Sequence, residues 1–236
     1  HYCGIKHENG VHYLMKAKDQ NKDQTYFLNQ LSQEQLSNVL FPLQNLTKPE
    51  VRKIAEKYGL ATAEKKDSTG ICFIGERNFR KFLMNYIPAK EGDIKTYDGR
   101  TLGRHYGLMY YTIGQRKGLY IGGQAGDAGR WFVIEKDMKN NILYVAHGEE
   151  DRLYSKGLLT GKINFIPSVP DKKEFCCNAK FRYRQDEQKV FVKLKDDGSA
   201  EVEFAERQRA ITEGQYCVFY DDEKCLGGGV IEKAIF

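Results

Sequence analysis

Long apolar runs are missing from this chain of 236 residues. The longest apolar runs, such as Trp131-Phe132-Val133-Ile134, are far shorter than the roughly 20 apolar residues that a membrane-spanning helix needs. Cysteine is scarce, with six residues and no Cys-x-x-Cys, and no histidine pair has the spacing of zinc ligands. These absences argue against a membrane partner, a disulfide scaffold and a bound metal. We expect a cytoplasmic protein with mostly free thiols.

The two common phosphate-binding fingerprints, the Walker loop and Gly-x-Gly-x-x-Gly after a strand, are absent as well. The region from Gly114 to Gly129 is nevertheless rich in glycine and contains Arg116 and Lys117. Bare backbone amides beside cations are able to hold a phosphate. Two interpretations stay open here, a nucleotide site or a turn-rich loop that touches RNA, and the second is favoured.

The charge is mildly basic, because 37 Lys and Arg residues against 32 Asp and Glu residues give a net charge of +5. This balance permits a nucleic-acid partner without requiring one. Hydrophobic residues make up 41% of the chain, which favours a folded core over disorder. The length fits one to three domains.

Helix signals occur early in the chain. Ser32 followed by Gln35, and Thr47 followed by Glu50, are capping boxes that predict two helix starts. Apolar residues after Thr47 share one helical face, and Gly59 predicts the end of that helix.

From about residue 155 the chain consists of short alternating runs, as in a small β-barrel or sandwich. The runs are Phe175–Tyr183, Lys189–Lys195, Ala200–Phe204, Gln215–Tyr220 and Gly227–Ile231. Before them, Trp131–Ile134 and Asn141–Val145 predict paired strands around an Asn140-Asn141 turn. We place domain boundaries near residues 76 and 152.

A basic pattern follows the first of these runs. Period two places Lys180, Arg182 and Arg184 on one face of a strand, and Phe181 and Tyr183 on the other. Lys193 and Lys195 repeat the pattern on the next strand. A barrel with one basic face suits RNA phosphates, and an ordinary solvated face is equally compatible with the pattern.

Cys72 differs from the other cysteines in its surroundings. It follows a polar segment that contains Lys65 and Lys66, and nearby lysine charges favour the reactive thiolate. A functional thiol and a small buried side chain between Ile71 and Phe73 are both open. Four other cysteines are interpreted as small buried hydrophobes, namely Cys176, Cys177, Cys217 and Cys225.

Six segments resemble, in the same order, segments of the bacterial tRNA-specific 2-thiouridylases. They are Asn21-Lys22-Asp23-Gln24-Thr25-Tyr26-Phe27, Lys48-Pro49-Glu50-Val51-Arg52, Asp67-Ser68-Thr69-Gly70-Ile71-Cys72-Phe73-Ile74-Gly75, Gly114-Gln115-Arg116-Lys117-Gly118-Leu119, Arg182-Tyr183-Arg184-Gln185 and Cys225-Leu226-Gly227-Gly228-Gly229. The resemblance runs from His1 to near Phe236. Several segments in order are far more specific than any one of them.

The resemblance implies an enzyme that places sulfur on C2 of the wobble uridine, position 34, in the tRNAs for Lys, Glu and Gln. ATP, with Mg, activates the C2 oxygen, and a cysteine persulfide that matches Cys72 supplies the sulfur. The loop residues that support this cysteine are Lys65, Lys66, Asp67, Ser68 and Gly70. The implied partners are tRNA and a donor protein of an upstream sulfur relay.

The resemblance also implies the tRNA-binding residues, which are His1, Lys22, Asp23, Gln24, Arg182, Tyr183 and Gln215. The implied fold is an α+β chain of several domains. Residues 1–76 are the remnant of a Rossmann-like adenine-nucleotide hydrolase domain, residues 77–152 a small central α/β domain, and residues 153–236 a C-terminal β-barrel.

The ATP-binding loop of the family and its second cysteine have no match in this sequence. We therefore expect a tRNA-binding and sulfur-carrying piece of a longer enzyme, inactive alone. Residues 1–76, without parallel strands to pack on, are expected to be partly disordered or to pack on a second copy. The alternative function is a non-catalytic RNA-binding barrel with an idle Cys72. A thiol redox protein is a weaker alternative, because no second cysteine lies near Cys72 in the sequence.

Overall fold

The computed structural model describes residues 1–65, 79–121, 129–148 and 150–236. Within these residues the helices are α1 (Thr25–Leu28), α2 (Gln33–Ser37), α3 (Lys48–Lys57) and α4 (Phe79–Met84). The strands are β1 (Gly4–Glu8), β2 (Val11–Met15), β3 (Gly92–Lys95), β4 (Thr101–His105), β5 (Trp131–Asp137), β6 (Ile142–His147), β7 (Tyr154–Thr160), β8 (Asn164–Phe165), β9 (Glu174–Lys180), β10 (Gln188–Leu194), β11 (Ala200–Arg209), β12 (Tyr216–Asp221) and β13 (Lys224–Ile235). None of the helices in these ranges has the length and apolar character needed to cross a bilayer.

The chain divides into two compact units. The first contains residues 1–66, 156–207 and 212–236, and the second contains residues 67–155 and 208–211. The N-terminal segment therefore belongs to the same unit as most of the C-terminal strands.

A closed barrel of six strands forms the centre of the first unit. The strands follow the order β13, β12, β9, β10, β11 and β7, and β7 pairs again with β13. Buried side chains on these strands include Leu158, Val192, Val202, Phe219 and Ile231. The predicted C-terminal β-barrel is confirmed, in a chain made mostly of strands with a few helices.

The N-terminal hairpin of β1 and β2 extends the sheet of this barrel. Leu14 and Met15 of β2 pair with Cys225 and Lys224 of β13. One apolar core joins both ends of the chain, and its buried members are Cys3, Leu14, Tyr26, Leu36, Ile166, Val218, Tyr220 and Cys225. Residues 1–65 thus share the core of the barrel unit, whereas the sequence predicted partial disorder or packing on a second copy for residues 1–76.

The three consecutive glycines of β13 allow other segments to approach this strand closely. A Cβ on Gly227 would lie 1.9 Å from the carbonyl oxygen of Asn164, and its φ is +102°. A Cβ on Gly228 would lie 2.7 Å from the carbonyl oxygen of Cys217 and 2.8 Å from Asn29 Oδ1. The glycine run therefore makes room for β8 on one side and for the residue after α1 on the other.

The helices α2 and α3 begin at the predicted N-caps. Gln35 N donates to Ser32 Oγ at 3.2 Å, and Ser32 N donates to Gln35 Oε1 at 2.9 Å. Thr47 and Glu50 form the same reciprocal pair at the start of α3. Both capping boxes are confirmed, because local side chains satisfy the first free amides of each helix.

The end of α3 also follows the prediction, whereas its apolar face is only partly covered. Gly59 has a φ of +64°, as expected of a glycine after a helix. Ala55 is buried, but Ile54 and Tyr58 are largely exposed. Packing of α3 on the barrel unit thus uses only part of the predicted apolar face.

We expect Glu50 to contribute stability that disappears in acid. Its carboxylate accepts from Thr47 N at 2.6 Å, from Lys18 Nζ at 2.9 Å and from Thr47 Oγ1 at 2.8 Å. These bonds lower the pKa of Glu50 from 4.5 to about 2. Its contribution is therefore complete above pH 4.5 and is lost as the pH falls through about 2.

Replacement of this residue, Glu50→Gln, should flatten the pH dependence of the thermal midpoint over that range. Glu56→Gln, on the same helix, is the matched control and should retain the wild-type slope. Equal slopes for Glu50→Gln and the wild type would contradict the assignment.

The second unit contains a four-stranded sheet in the order β4, β3, β6 and β5. β3 runs parallel to β6, and the other neighbours are antiparallel. Its buried core includes Ile94, Leu102, Val133, Leu143 and Val145. The predicted hairpin around Asn140-Asn141 is confirmed, and Asn141 has a φ of +56° in that turn.

Candidate nucleic-acid interface

Asp23 lies buried at the end of the surface loop 19–24 and holds it in place. Its carboxylate accepts from Ala17 N at 3.1 Å, from Thr25 N at 3.3 Å and from Thr25 Oγ1. Burial raises the pKa of Asp23, and the bonds from Thr25 and Ala17 act in the opposite direction. The neighbouring Lys22 is half-buried. The buried carboxylate of Asp23 thus anchors the loop at the position next to Lys22.

Asp19 and Gln24 tie the same loop to two other segments. Asp19 Oδ2 accepts from the backbone nitrogen of Lys48, in the first turn of α3, at 2.8 Å. Gln24 N donates to Tyr2 O at 2.8 Å, and Tyr2 N donates to Gln24 Oε1 at 3.0 Å. His1, which precedes Tyr2, is exposed. The paired backbone of Tyr2 therefore places His1 beside the loop.

β9 ends at Lys180, and the residues after it form a turn. Gln185 N donates to Arg182 O at 3.1 Å, and Phe181 N donates to Gln185 Oε1 at 3.1 Å. The exposure of the side chains beyond Lys180 still alternates as predicted, with Phe181 buried and Arg184 exposed. The predicted continuation of the strand to Tyr183 is wrong, because these bonds close a turn there. Arg182 is exposed and Tyr183 is half-buried within it.

Lys180 itself faces away from solvent. Its side chain is 12% exposed, and its Nζ lies 3.9 Å from Glu187 Oε1. Lys16 forms an ion pair with the same carboxylate, and both lysines lie 5.0–5.3 Å from the centre of the Tyr220 ring. Lys193 is also ion-paired. Two of the five cations predicted to form a basic face, Lys180 and Lys193, are therefore ion-paired, whereas Arg182, Arg184 and Lys195 are exposed.

Phe27 joins the loop 19–24 to the turn after β9. Its ring centre lies 4.4 Å from that of Tyr183, and its side chain is 56% exposed. Beneath it, the hydroxyl of buried Tyr26 lies 3.2 Å from Phe181 O and 3.1 Å from Tyr216 O. Sequence reasoning missed Phe27, although an aromatic side chain directly after a polar, lysine-containing loop is a usable signal.

Arg182 and Gln215 meet through Thr212, which sequence reasoning also missed. Arg182 Nη2 donates to Thr212 Oγ1 at 3.2 Å, and Gln215 N donates to Thr212 O at 3.3 Å. Gln215 is exposed. Burial raises the pKa of Tyr183, and the nearby charge of Lys22 acts to lower it. Four residues predicted to bind tRNA therefore lie close together, namely Lys22, Arg182, Tyr183 and Gln215.

The cysteines of the described chain differ sharply in exposure. Cys3, Cys217 and Cys225 are buried and Cys177 is half-buried. Burial raises the pKa of the thiols of Cys3, Cys177 and Cys225 to about 12, and that of Cys217 also rises. Cys176 is exposed, so the expectation that it is a buried hydrophobe is wrong, because its strand turns this position to solvent.

Cys72 lies outside the described residues, and so do Lys66, Asp67, Ser68 and Gly70. Lys65 is described and exposed, and its carbonyl oxygen accepts from Arg52 Nη2 at 3.3 Å. Within the described ranges, no group of three or more His, Cys, Asp or Glu side chains is arranged to hold a metal ion.

In the glycine-rich loop 114–118 of the second unit, the first two backbone amides donate hydrogen bonds within the protein. Gly114 N donates to Val133 O at 2.7 Å, and Gln115 N donates to Thr112 O at 2.9 Å. Thr112 N also donates to Gln115 Oε1 at 3.0 Å. The amides of Gly114 and Gln115 are therefore not available to a phosphate. The two cations that follow Gln115 are exposed.

Three family models match consecutive parts of the chain. The tRNA methyl transferase HUP domain matches residues 1–76, the tRNA methyl transferase PRC-barrel domain residues 80–147, and the aminomethyltransferase beta-barrel domain residues 155–231. The tRNA-specific 2-thiouridylase MnmA of Streptococcus thermophilus is 57% identical over 237 residues, which cover 99% of this chain and 63% of that protein. The chain is similar to the tRNA-specific 2-thiouridylases over nearly its whole length.

Two further 2-thiouridylases show the same extent of similarity. MnmA 1 of Geobacillus kaustophilus is 55% identical over 236 residues, covering 100% of this chain and 64% of that protein. MnmA of Listeria innocua is 57% identical over 233 residues, covering 98% and 62%. The chain spans less than two thirds of the length of these curated relatives. The resemblance and the fold class, with a Rossmann-like HUP segment, a central domain and a C-terminal barrel, are confirmed.

Proposed function

We propose that this chain takes part in the 2-thiolation of the wobble uridine, position 34, in the tRNAs for Lys, Glu and Gln. The observation that carries the proposal is the 55–57% identity to tRNA-specific 2-thiouridylases across nearly the whole chain. In this proposal the chain contributes a persulfide cysteine and a tRNA-binding face. A donor protein of an upstream sulfur relay loads the cysteine.

The tRNA-binding face of this proposal combines Lys22, Arg182 and Gln215 with His1 at its edge. Cations near an exposed surface attract RNA phosphates and make the affinity dependent on salt. Asp23 is assigned a positioning role, because its carboxylate is buried and already accepts three hydrogen bonds. The same holds for Gln24, whose side-chain oxygen accepts from Tyr2 N.

The sulfur step is assigned to Cys72. The outer sulfur of its persulfide attacks C2 of the uridine, and the activated C2 oxygen leaves with the bonding electron pair. A second cysteine thiol then attacks the Cys72 sulfur, forms a disulfide with it and releases the thiolated base. The adjacent charges of Lys65 and Lys66 favour the anionic form of the attacking sulfur.

Activation of the C2 oxygen is the chemistry that ATP, with Mg, supplies in this proposal. The first two amides of the glycine-rich loop 114–118 are not available to a phosphate, since they donate to Val133 and Thr112. We therefore assign no ATP contact to this part of the chain.

We expect Cys72→Ser to abolish persulfide loading while tRNA binding remains. The experiment is best done in a Cys176→Ser background, because the other described thiols are buried or half-buried and Cys176 is exposed. After incubation with a small-molecule persulfide donor, intact mass should show one added, reducible sulfur atom in Cys176→Ser. The double variant should show none, and both should bind tRNA equally.

Two outcomes would contradict this assignment. Loading that persists in the double variant would remove Cys72 as the carrier and would favour a non-catalytic RNA-binding barrel protein. Failure of both proteins to bind tRNA would remove the tRNA-binding face from the proposal.

A further inference from the structure

We propose that the ring of Phe27 is a stacking platform for one unpaired base of the bound RNA. The inference rests on the proposed function, in which this face of the barrel unit binds tRNA. It adds to that function a preference for single-stranded nucleotides over duplex, and it names the side chain responsible.

The first support is that Phe27 is exposed on a backbone that is held firmly. The side chain is 56% exposed, while Tyr26 beside it is 5% exposed and Asn29 after α1 is 1% exposed. Asn29 Nδ2 donates to Tyr26 O at 2.6 Å, and Asn164 Nδ2 donates to Asn29 O at 2.9 Å. A helix of one turn is thus anchored before and after Phe27. The backbone that carries the ring is therefore held in place.

The second support is the ring of Tyr183, which backs Phe27 on one side. The two ring centres lie 4.4 Å apart with an interplanar angle of 39°. Tyr183 in turn packs against the buried core of the barrel unit. Phe27 therefore has an aromatic support on its inner side and solvent on its outer side. A base that stacks on the outer side would continue this aromatic series.

The third support is the charge around the two rings. Arg182 and Arg184 are exposed in the turn that carries Tyr183, and Lys22 lies in the loop that leads to Phe27. The carboxylates that also face this neighbourhood, Asp19 and Asp23, are buried and accept hydrogen bonds. Aromatic side chains flanked by cations are the usual means of binding single-stranded nucleic acid.

A second aromatic stack among the described residues has no free face at Tyr97. In the second unit, the ring of Tyr97 lies 4.6 Å from that of Tyr144 with an interplanar angle of 3°. The guanidinium carbon of Arg152 lies 4.0 Å from the centre of Tyr97. Because a residue covers each side of Tyr97, no base can stack there without displacing one of them.

The test measures binding of the full chain to three RNAs, namely a tRNA transcript, a single-stranded RNA of the anticodon-loop sequence, and a blunt duplex of the same composition. Phe27→Ala should weaken binding of the first two roughly 5- to 100-fold and leave duplex binding unchanged. Phe27→Trp should retain wild-type affinity. Phe236→Ala is the matched control, because Phe236 is also exposed, at 63%, and should bind normally.

Salt dependence separates this inference from the proposed function. Arg182→Ala should reduce the slope of log affinity against log salt by about one, whereas Phe27→Ala should not change that slope. Wild-type affinity in Phe27→Ala, together with a reduced slope in Arg182→Ala, would overturn the stacking platform alone. An equal loss of duplex binding would also overturn it. Absence of tRNA binding by the wild-type chain would overturn the proposed function itself.

Discussion

Gly227→Ala is expected to lower the free energy of unfolding of the barrel unit by about 3–5 kcal/mol. The added Cβ would lie 1.9 Å from the carbonyl oxygen of Asn164, a backbone atom that cannot rotate away. The φ of +102° adds backbone strain for any residue with a side chain. Both effects act where β13 pairs with β8, so the pairing of these two strands must shift.

Gly214→Ala is the matched control for this experiment. Gly214 has a φ of +83°, and a Cβ there would meet no atom within 4 Å. It therefore measures backbone strain alone, about 1–2 kcal/mol. Urea unfolding of both variants, followed by circular dichroism, gives the comparison. Equal losses in the two variants would show that the close approach of Asn164 contributes nothing.

Asp23→Ala is expected to lower the free energy of unfolding by about 2–3 kcal/mol, the second largest effect among these predictions. The substitution leaves Ala17 N and the two donors of Thr25 without their buried acceptor. Because ionised Asp23 is itself penalised by burial, as its raised pKa indicates, the net loss is smaller than the sum of three bonds. The loop 19–24 should then open, which urea unfolding and faster hydrogen exchange at Ala17 and Thr25 would detect.

Lys22→Ala distinguishes a residue that contacts the RNA from one that positions the loop 19–24. Lys22 is half-buried, and its ammonium is the group assigned to the RNA, so its loss should lower stability less than the loss of Asp23 while tRNA binding weakens. Asp23→Ala should weaken both. An Asp23→Ala variant with wild-type stability and no tRNA binding would instead make Asp23 a direct contact to the RNA.

Features that depend on nearby residues could be predicted from the sequence. The capping boxes at Ser32 and Thr47 and the turn at Asn141 each need only a few neighbouring side chains, and each forms as expected. The alternation that predicts strands also located the barrel, because period two reflects burial on one face of a sheet.

Features that depend on distant residues could not be predicted. Lys180 shares the carboxylate of Glu187 with Lys16, which comes from the other end of the chain. No local pattern shows this, so the predicted basic face was too large. The end of β9 is set by the side chain of Gln185, which bonds back to Phe181. The persulfide role of Cys72 came from resemblance alone and stays a proposal.

The pairing of β2 with β13 has a consequence for synthesis of the chain. Met15 finds its partner Lys224 only after about 210 further residues have been made. Until then the hairpin of β1 and β2 has an unpaired edge and an apolar face without its cover. Contacts so distant along the chain slow folding, so this pairing is expected to form late.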